Sequence, residues 1–126
     1  MGKGARPLQT PSVFTIFASS RFIDRQAVRE ALRQCAQRLK ATQPDVHAVY
    51  LCGSFATNRA TPHSDADIVV AITPESTESQ QEIYEAARTT FLDAPVPVDL
   101  FVLSATHMAK DWGIARAVKR EGVQLA

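Results

Sequence analysis

The chain has 126 residues, a formal net charge of +1 and 45% hydrophobic residues, which suits one domain and leaves too little chain for two. No run approaches the roughly 18 consecutive apolar residues of a membrane-spanning helix, and the N-terminus lacks the apolar core of a signal peptide. We therefore expect a cytoplasmic protein without a membrane partner.

The N-terminal part of the chain is basic, since residues 1–40 hold eight Lys or Arg and two Asp or Glu. Residues 1–11 contain Pro and Gly and are predicted to form a flexible segment ahead of a single domain over residues 12–126. The apolar stretch Val13 to Phe17 is either an edge strand or an extended arm. A helix is predicted to begin near Asp24, a plausible cap, with one apolar face: Val28, Leu32, Cys35, Ala36 and Leu39.

Three arginines repeat at intervals of four along this first helix: Arg25, Arg29 and Arg33. Residues four apart lie on one side of a helix, so they form a basic stripe. We favour a solvated helix face for this stripe. The alternative is a surface that attracts an acidic partner or a nucleic acid backbone.

A buried strand is predicted over Val46 to Cys52, and Gly53-Ser54 follow it directly. We expect a helix to begin there. Backbone N–H groups at a helix N-terminus are unpaired, and a glycine lets an anion approach them closely. The pair therefore predicts a phosphate-binding turn. Cys35 and Cys52 lie in different predicted elements without metal-binding spacing, so we expect two buried thiols.

Two aspartates, Asp65 and Asp67, open the next apolar run. Residues i and i+2 of a strand share one face, so the two carboxylates are expected side by side. Magnesium binds one or two protein carboxylates together with the phosphate oxygens of a substrate. The spacing therefore predicts a magnesium site next to the phosphate-binding turn.

A third carboxylate lies within a later apolar run, Val96 to Leu103, where Asp99 stands between Val98 and Leu100. An ionised carboxylate among apolar residues is costly unless a partner compensates it. The intervening segment predicts a helix from Thr77 to about Phe91, long enough to return this strand beside the previous one. Pro97 predicts that this strand begins at a sheet edge, because proline has no backbone N–H to donate to a neighbouring strand.

The last predicted helix runs from about Ala105 to Glu121, and Gly122 ends it. Its inner face is predicted to contain Met108, Trp112, Ala115 and Val118. Residues Val123 to Ala126 are expected to add a terminal strand. His47, His63 and His107 are interpreted as surface or hydrogen-bonded histidines, not as ligands.

With these motifs in place, the chain resembles the minimal nucleotidyltransferases of the DNA polymerase beta superfamily, whose signature is Gly-Ser, a spacer, Asp-x-Asp and a later strand aspartate. The resemblance implies an α+β fold with a small mixed sheet packed by three to four helices. It implies that Asp65, Asp67 and Asp99 are catalytic and bind two magnesium ions with the bound nucleotide. It also implies that Gly53 and Ser54 bind the triphosphate.

The chain departs from the family pattern after the Gly-Ser-x-Ala stretch, where relatives commonly carry arginine then glycine. Here Thr57 and Asn58 stand at those positions, and His63 replaces a common acidic residue. Asparagine adopts left-handed backbone conformations more readily than other side-chain residues, so Asn58 is compatible with the turn. Arg59 is our candidate for supplying the missing positive charge to the triphosphate.

The resemblance implies transfer of a nucleoside monophosphate from an NTP, in the first place ATP, to a hydroxyl. The leading interpretation is an antitoxin that modifies a tyrosine of a small helical HEPN-type toxin. One alternative is a non-catalytic binding module of the same fold that neutralises or scaffolds a partner. Another is an enzyme acting on a small molecule or a nucleic acid end. A second copy of this chain is a further candidate partner.

Overall fold

The computed structural model describes residues 24–73 and 77–126. The predicted flexible segment 1–11 and the apolar stretch Val13 to Phe17 lie outside the described residues. Eight regular elements follow: α1 (Arg25–Thr42), β1 (Val46–Cys52), β2 (Ala66–Ile72), α2 (Thr77–Thr90), β3 (Val98–Ser104), α3 (Ala105–Met108), α4 (Gly113–Glu121) and β4 (Val123–Gln124).

The four strands form one mixed sheet in the order β3-β2-β1-β4. Strand β1 is antiparallel to β2 and to β4, whereas β2 and β3 run parallel. Helix α2 provides the crossover that a parallel pair requires. The predicted α+β class with a small mixed sheet is confirmed.

Helix α1 forms as the sequence predicts. The carboxylate of Asp24 caps it by accepting a hydrogen bond from the N–H of Ala27 at 2.9 Å. All five residues of the predicted apolar face are buried. This face packs against the sheet, so hydrophobic burial holds α1 in place.

The sheet has an apolar core on each face. Alternate residues of β2, such as Ile68 and Val70, join the larger cluster with residues of α1 and α2. Val69, between them, joins a smaller cluster with Cys52 and Val118, a residue of α4. Because strand side chains alternate between faces, Asp67 lies on the same side as Val69, the side that α4 covers.

The edge position predicted from Pro97 is confirmed, since β3 lies at one edge of the sheet and begins at Val98. The helix predicted before this strand is also present, and it buries one apolar side. Ile83 and Ala87 lie in α2, and Phe91 lies in the 3-10 turn Phe91–Asp93 that follows it. Both features fix where β3 returns beside β2.

The single helix predicted from Ala105 to Glu121 is wrong: α3 ends at Met108 and α4 begins at Gly113. Residues 109–112 are not helical, Trp112 is extended with φ −157°, and Gly113 begins α4 with a left-handed φ of +63°. Trp112, predicted to be inside, is 67% exposed, and the ammonium of Lys110 lies 5.5 Å from its ring centre. The apolar spacing continues through the break, which is why periodicity alone missed it.

The predicted terminal strand is present as β4, although it is shorter than expected. The N–H of Leu125 also donates to the carbonyl of Val49 at 2.7 Å. Gly122 ends α4 as predicted, but its φ of −65° is ordinary. Glycine is needed there for space, since a Cβ would lie 2.5 Å from the carbonyl oxygen of Val118.

Both cysteines are free and buried, as expected. The histidine interpretation also agrees with the structure: His47 and His63 are exposed, and Nδ1 of His107 lies 3.2 Å from the hydroxyl of Ser104. Of the helices in the described ranges, none combines the length and apolar character that a membrane crossing would need.

Gly122→Ala is expected to reduce the free energy of unfolding by about 1–3 kcal/mol, because the new methyl group must displace backbone atoms. Urea denaturation measures this change. Glu121→Ala is the control, since it truncates the neighbouring exposed side chain and adds no atom. A loss no greater for Gly122→Ala than for the control would contradict the close approach.

Candidate active site

Three carboxylates approach one another at one end of the sheet. Asp67 and Asp99 are each the second residue of their strand and are direct partners in the parallel register of β2 and β3. Asp65 is exposed and precedes β2, which begins at Ala66. Asp65 thus lies one residue ahead of the strand in which it was expected, yet near enough for its charge to act on Asp67. Asp99 is the strand partner of Asp67.

The environment of Asp67 disfavours its charged form. Burial raises the pKa of the Asp67 carboxyl, and the negative charges of Asp99 and Asp65 raise it further. Among the residues that the structure describes, no Lys, Arg or His forms an ion pair with any of the three. The fold thus holds like charges together without a cation of its own.

This donor set suits a hard cation. Carboxylate oxygens are preferred ligands of magnesium, which also takes oxygens from a substrate phosphate. Among the described residues, no group of three His, Cys, Asp or Glu side chains is close enough together to hold a metal ion without other ligands. The three aspartates therefore fit magnesium, because carboxylate oxygens are suitable ligands and a cation would relieve their mutual repulsion. A bound substrate would supply the remaining ligands.

Gly53 lies directly against Asp67. The predicted helix after β1 is instead a 3-10 turn over Gly53–Phe55, in which Gly53 has φ +74°. A Cβ on Gly53 would lie 2.5 Å from Oδ2 of Asp67. Only glycine combines this backbone conformation with this approach, so the turn and the carboxylate are packed as one unit.

The residues after Gly53 close a tight turn. The backbone N–H of Thr57 donates to the carbonyl of Gly53 at 3.2 Å, and so does the Thr57 hydroxyl at 3.3 Å. The N–H of Arg59 donates to the carbonyl of Ser54 at 2.8 Å. Asn58 has φ +60°, which confirms that asparagine occupies a left-handed position.

Among the turn and loop hydrogen bonds of the described residues, the backbone N–H of Ser54 donates to no carbonyl. Ser54 is half-buried and Arg59 is exposed. The Arg59 side chain forms no ion pair with described residues. The turn thus retains donors and a positive charge for an anion beside the carboxylates, even without an α-helix N-terminus.

The basic stripe of α1 is more than a solvated face. Arg25 donates through Nε and Nη2 to the carbonyl of Ala60, at 3.0 and 2.7 Å. Arg29 donates through Nη2 to the carbonyl of Ala56 at 3.2 Å. Both carbonyls belong to the loop between β1 and β2. Their spacing of four residues placed these arginines on one side of α1, but no feature of the sequence connected that side of the helix with the β1–β2 loop.

Cys52 faces Asp67 across β1 and β2. Burial raises the pKa of the Cys52 thiol to about 11, and the charges of Asp67 and Glu121 contribute. The thiol is therefore protonated at neutral pH, which favours packing over nucleophilic chemistry. Cys52 serves as packing beneath the carboxylates.

Clefts of the described residues lie away from the three aspartates. One of about 390 Å³ is lined by residues of α2, β3 and the turn between them. Another of about 480 Å³ lies beside α3 and includes Tyr50 and Met108. A third of about 430 Å³ lies along α4 and includes Arg120 and Glu121. None is lined by the three aspartates, so chemistry and not cavity size identifies the candidate site.

Gly53→Ala is expected to destabilise the protein more than Gly113→Ala. Both glycines have positive φ, which costs an alanine about 1–2 kcal/mol, but only a Cβ at residue 53 meets another atom within 4 Å. Urea denaturation of both variants, and of Gly53→Ala combined with Asp67→Ala, measures the difference. The excess cost should shrink in the double variant, and equal costs at the two glycines would argue against the contact.

Asp67→Asn is expected to raise the melting temperature at pH 7. Because the pKa of Asp67 in the folded protein lies above the ordinary aspartate value of 3.8, this group stabilises the fold less as pH rises above that value. The gain should therefore diminish as the pH approaches about 4. Asp93→Asn is the control, since Asp93 has a favourable ion pair with Arg38 at 2.9 Å. A gain independent of pH would contradict the charge repulsion.

Comparisons with known proteins agree with this geometry. Residues 32–124 match the family described as "Nucleotidyltransferase domain". A comparison with curated proteins found no significant match.

Three solved structures are similar to the chain. A nucleotidyltransferase structure from Sulfolobus solfataricus aligns with 98% of this chain and 89% of its own, with a TM-score of 0.56 and 16% identity. A toxin–antitoxin complex with AMP-PNP has a TM-score of 0.50 and 22% identity. A mutant MntA-HpeT toxin–antitoxin pair has a TM-score of 0.52 and 21% identity. Each of the latter two covers 75% of this chain and 72% of its own.

At these identities the structures establish a shared fold. The family match covers about three quarters of the chain, from within α1 to β4, and includes Gly53-Ser54 and all three carboxylates. The chain therefore belongs to the nucleotidyltransferase domain family.

Proposed function

We propose that the protein transfers a nucleoside monophosphate, AMP from ATP, to a hydroxyl group in a magnesium-dependent reaction. The observation that carries this proposal is the facing pair Asp67 and Asp99 beside the Gly53-Ser54 turn. Carboxylates for a cation and backbone donors for phosphate are the two half-sites that this chemistry needs. Their adjacency supports a single nucleotide site.

In this proposal Asp65, Asp67 and Asp99 bind two magnesium ions. Bound magnesium would lower the pKa of the acceptor hydroxyl and neutralise phosphate charge. Gly53 and Ser54 bind the terminal phosphates through backbone N–H groups and the Ser54 hydroxyl. Arg59 supplies a positive charge to the same phosphates.

The proposed reaction is an in-line displacement. The acceptor oxygen forms a bond to the α-phosphorus of ATP, and the bond to the pyrophosphate oxygen breaks. Asp99 would accept the hydroxyl proton, and its exposed position on the edge strand supports this role. Pyrophosphate leaves with its electron pair, and no other reactant is needed.

We propose a tyrosine of a small helical HEPN-type toxin as the acceptor, with this chain as antitoxin. The carboxylates Asp65 and Asp99 are exposed, so a side chain presented by another protein can reach them. The motif resemblance and the toxin–antitoxin complexes that share this fold motivate this choice. If a neighbouring gene encodes a small helical protein, that protein is the partner to purify together with this chain from the cytoplasm.

A non-catalytic binding module is the second candidate, and Thr57 favours it. Its hydroxyl closes the turn onto Gly53 where relatives commonly place an arginine, so the chain holds one positive charge fewer beside the phosphates. Transfer to a nucleic acid end has less support, because two of the three arginines on which it rested bind the loop carbonyls.

Substitution of the carboxylates tests the proposed site. Asp67→Asn and Asp99→Asn are each expected to lower the rate of AMP transfer at least about 100-fold, which corresponds to about 3 kcal/mol of lost stabilisation. Incorporation of labelled AMP into the co-purified partner measures the rate. Asp93→Asn, at an exposed ion pair outside the site, is expected to retain activity. Transfer at the wild-type rate in both site variants would refute the assignment.

Nucleotide binding separates the two candidates. ATP with magnesium at about 100 times its dissociation constant should stabilise the fold by about 2.7 kcal/mol, a shift of several degrees in melting temperature. Thermal melts with ATP or GTP, each with and without magnesium, measure this. The shift should require magnesium and disappear in the Asp65→Asn/Asp67→Asn variant. A wild-type protein that shows no shift with either nucleotide would favour the binding module.

A further inference from the structure

We propose that Arg25 and Arg29 are positioning residues that hold the β1–β2 loop, residues 53–65, in its nucleotide-binding conformation. The loop begins at the Gly53-Ser54 turn and ends at Asp65, so it connects the phosphate half-site with the carboxylate half-site. The hydrogen bonds from α1 are the observation behind this inference. Its consequence for ATP rests on the proposed function.

Arg25 makes the stronger attachment. Its Nε and Nη2 groups both donate to the carbonyl oxygen of Ala60, at 3.0 and 2.7 Å. Ala60 is fully buried, and an unpaired carbonyl there would be costly. The fork of two donors on one planar group favours a single orientation, which a lysine ammonium cannot reproduce. The Asp24 cap at the start of α1 fixes the backbone from which Arg25 extends.

Arg29 lies one helical turn further and holds the carbonyl of Ala56 at 3.2 Å. The two attachment points, Ala56 and Ala60, therefore flank the left-handed Asn58 and the exposed Arg59 on both sides. The N–H of Arg59 in turn donates to the carbonyl of Ser54. Fixing Ala56 and Ala60 consequently restrains both Ser54 and Arg59.

Arg33, the next member of the stripe, provides a control within the same helix. Its guanidinium lies 3.6 Å from the carboxylate of Glu30, and its side chain is 38% exposed. No loop carbonyl accepts a hydrogen bond from Arg33 in the described residues. If the stripe attracted phosphate only through its charge, lysine would serve as well as arginine at all three positions. If the stripe positions the loop, lysine should fail at Arg25 and Arg29 and be tolerated at Arg33.

The experiment compares Arg25→Lys, Arg29→Lys and Arg33→Lys, which all keep the positive charge. Amide hydrogen exchange of residues 53–65 reports on the loop, and exchange in β1 reports on the fold. The dissociation constant of ATP with magnesium is measured well below each melting temperature. For Arg25→Lys we expect loop exchange to increase about tenfold or more, with β1 changed less than about twofold. ATP binding should weaken about tenfold.

Arg29→Lys should show smaller changes in the same direction, and Arg33→Lys should resemble wild type. Loop exchange that stays at the wild-type rate in Arg25→Lys overturns the inference. Unchanged ATP binding in all three variants, which keep their positive charge, also overturns the nucleotide part of the inference, in favour of a charge effect. A wild-type protein that binds no nucleotide refutes the proposed function and the nucleotide part of this inference. The exchange measurements then still decide whether the arginines hold the loop.

Discussion

The parallel register of β2 and β3 is the constraint on which the candidate site depends. It places Asp67 directly opposite Asp99, so two carboxylates lie close together on neighbouring strands. Burial of the apolar residues that follow in β2 stabilises this pairing. The hydrophobic core therefore keeps like charges together although they repel each other.

A second close approach links the phosphate turn to these carboxylates. Gly53 lies against Asp67 because β1 and β2 are antiparallel neighbours, with Cys52 opposite Asp67. The end of β1 and the start of β2 thus meet at one end of the sheet. An anion bound at the turn would lie next to a cation bound by the carboxylates, and such opposite charges stabilise each other.

Helix α1 contributes to the site from outside the sheet. Its apolar face packs in the larger core, whereas Arg25 and Arg29 reach the loop that joins the two half-sites. Because a helix repeats every 3.6 residues, one element can serve both purposes. The same periodicity led us to interpret the stripe as solvated, since a polar side opposite an apolar side is typical of a surface helix.

The sequence alone determined the features that depend on local spacing. Asp24 and the apolar repeat predicted α1, Pro97 predicted the edge strand, and Asn58 predicted a left-handed turn, because caps, periodicity and allowed φ values are properties of neighbouring residues. The same information failed at Trp112, where the apolar repeat continues across the non-helical residues 109–112 that separate α3 from α4.

Only the tertiary structure decided which distant residues meet. The sequence indicated three acidic positions, but strand register determined that Asp99 faces Asp67 and that Asp65 lies just outside the strand. It likewise gave no reason to connect Arg25 with Ala60, 35 residues later. Register and loop contacts arise from packing between elements far apart in the chain, and local spacing contains no information about that packing.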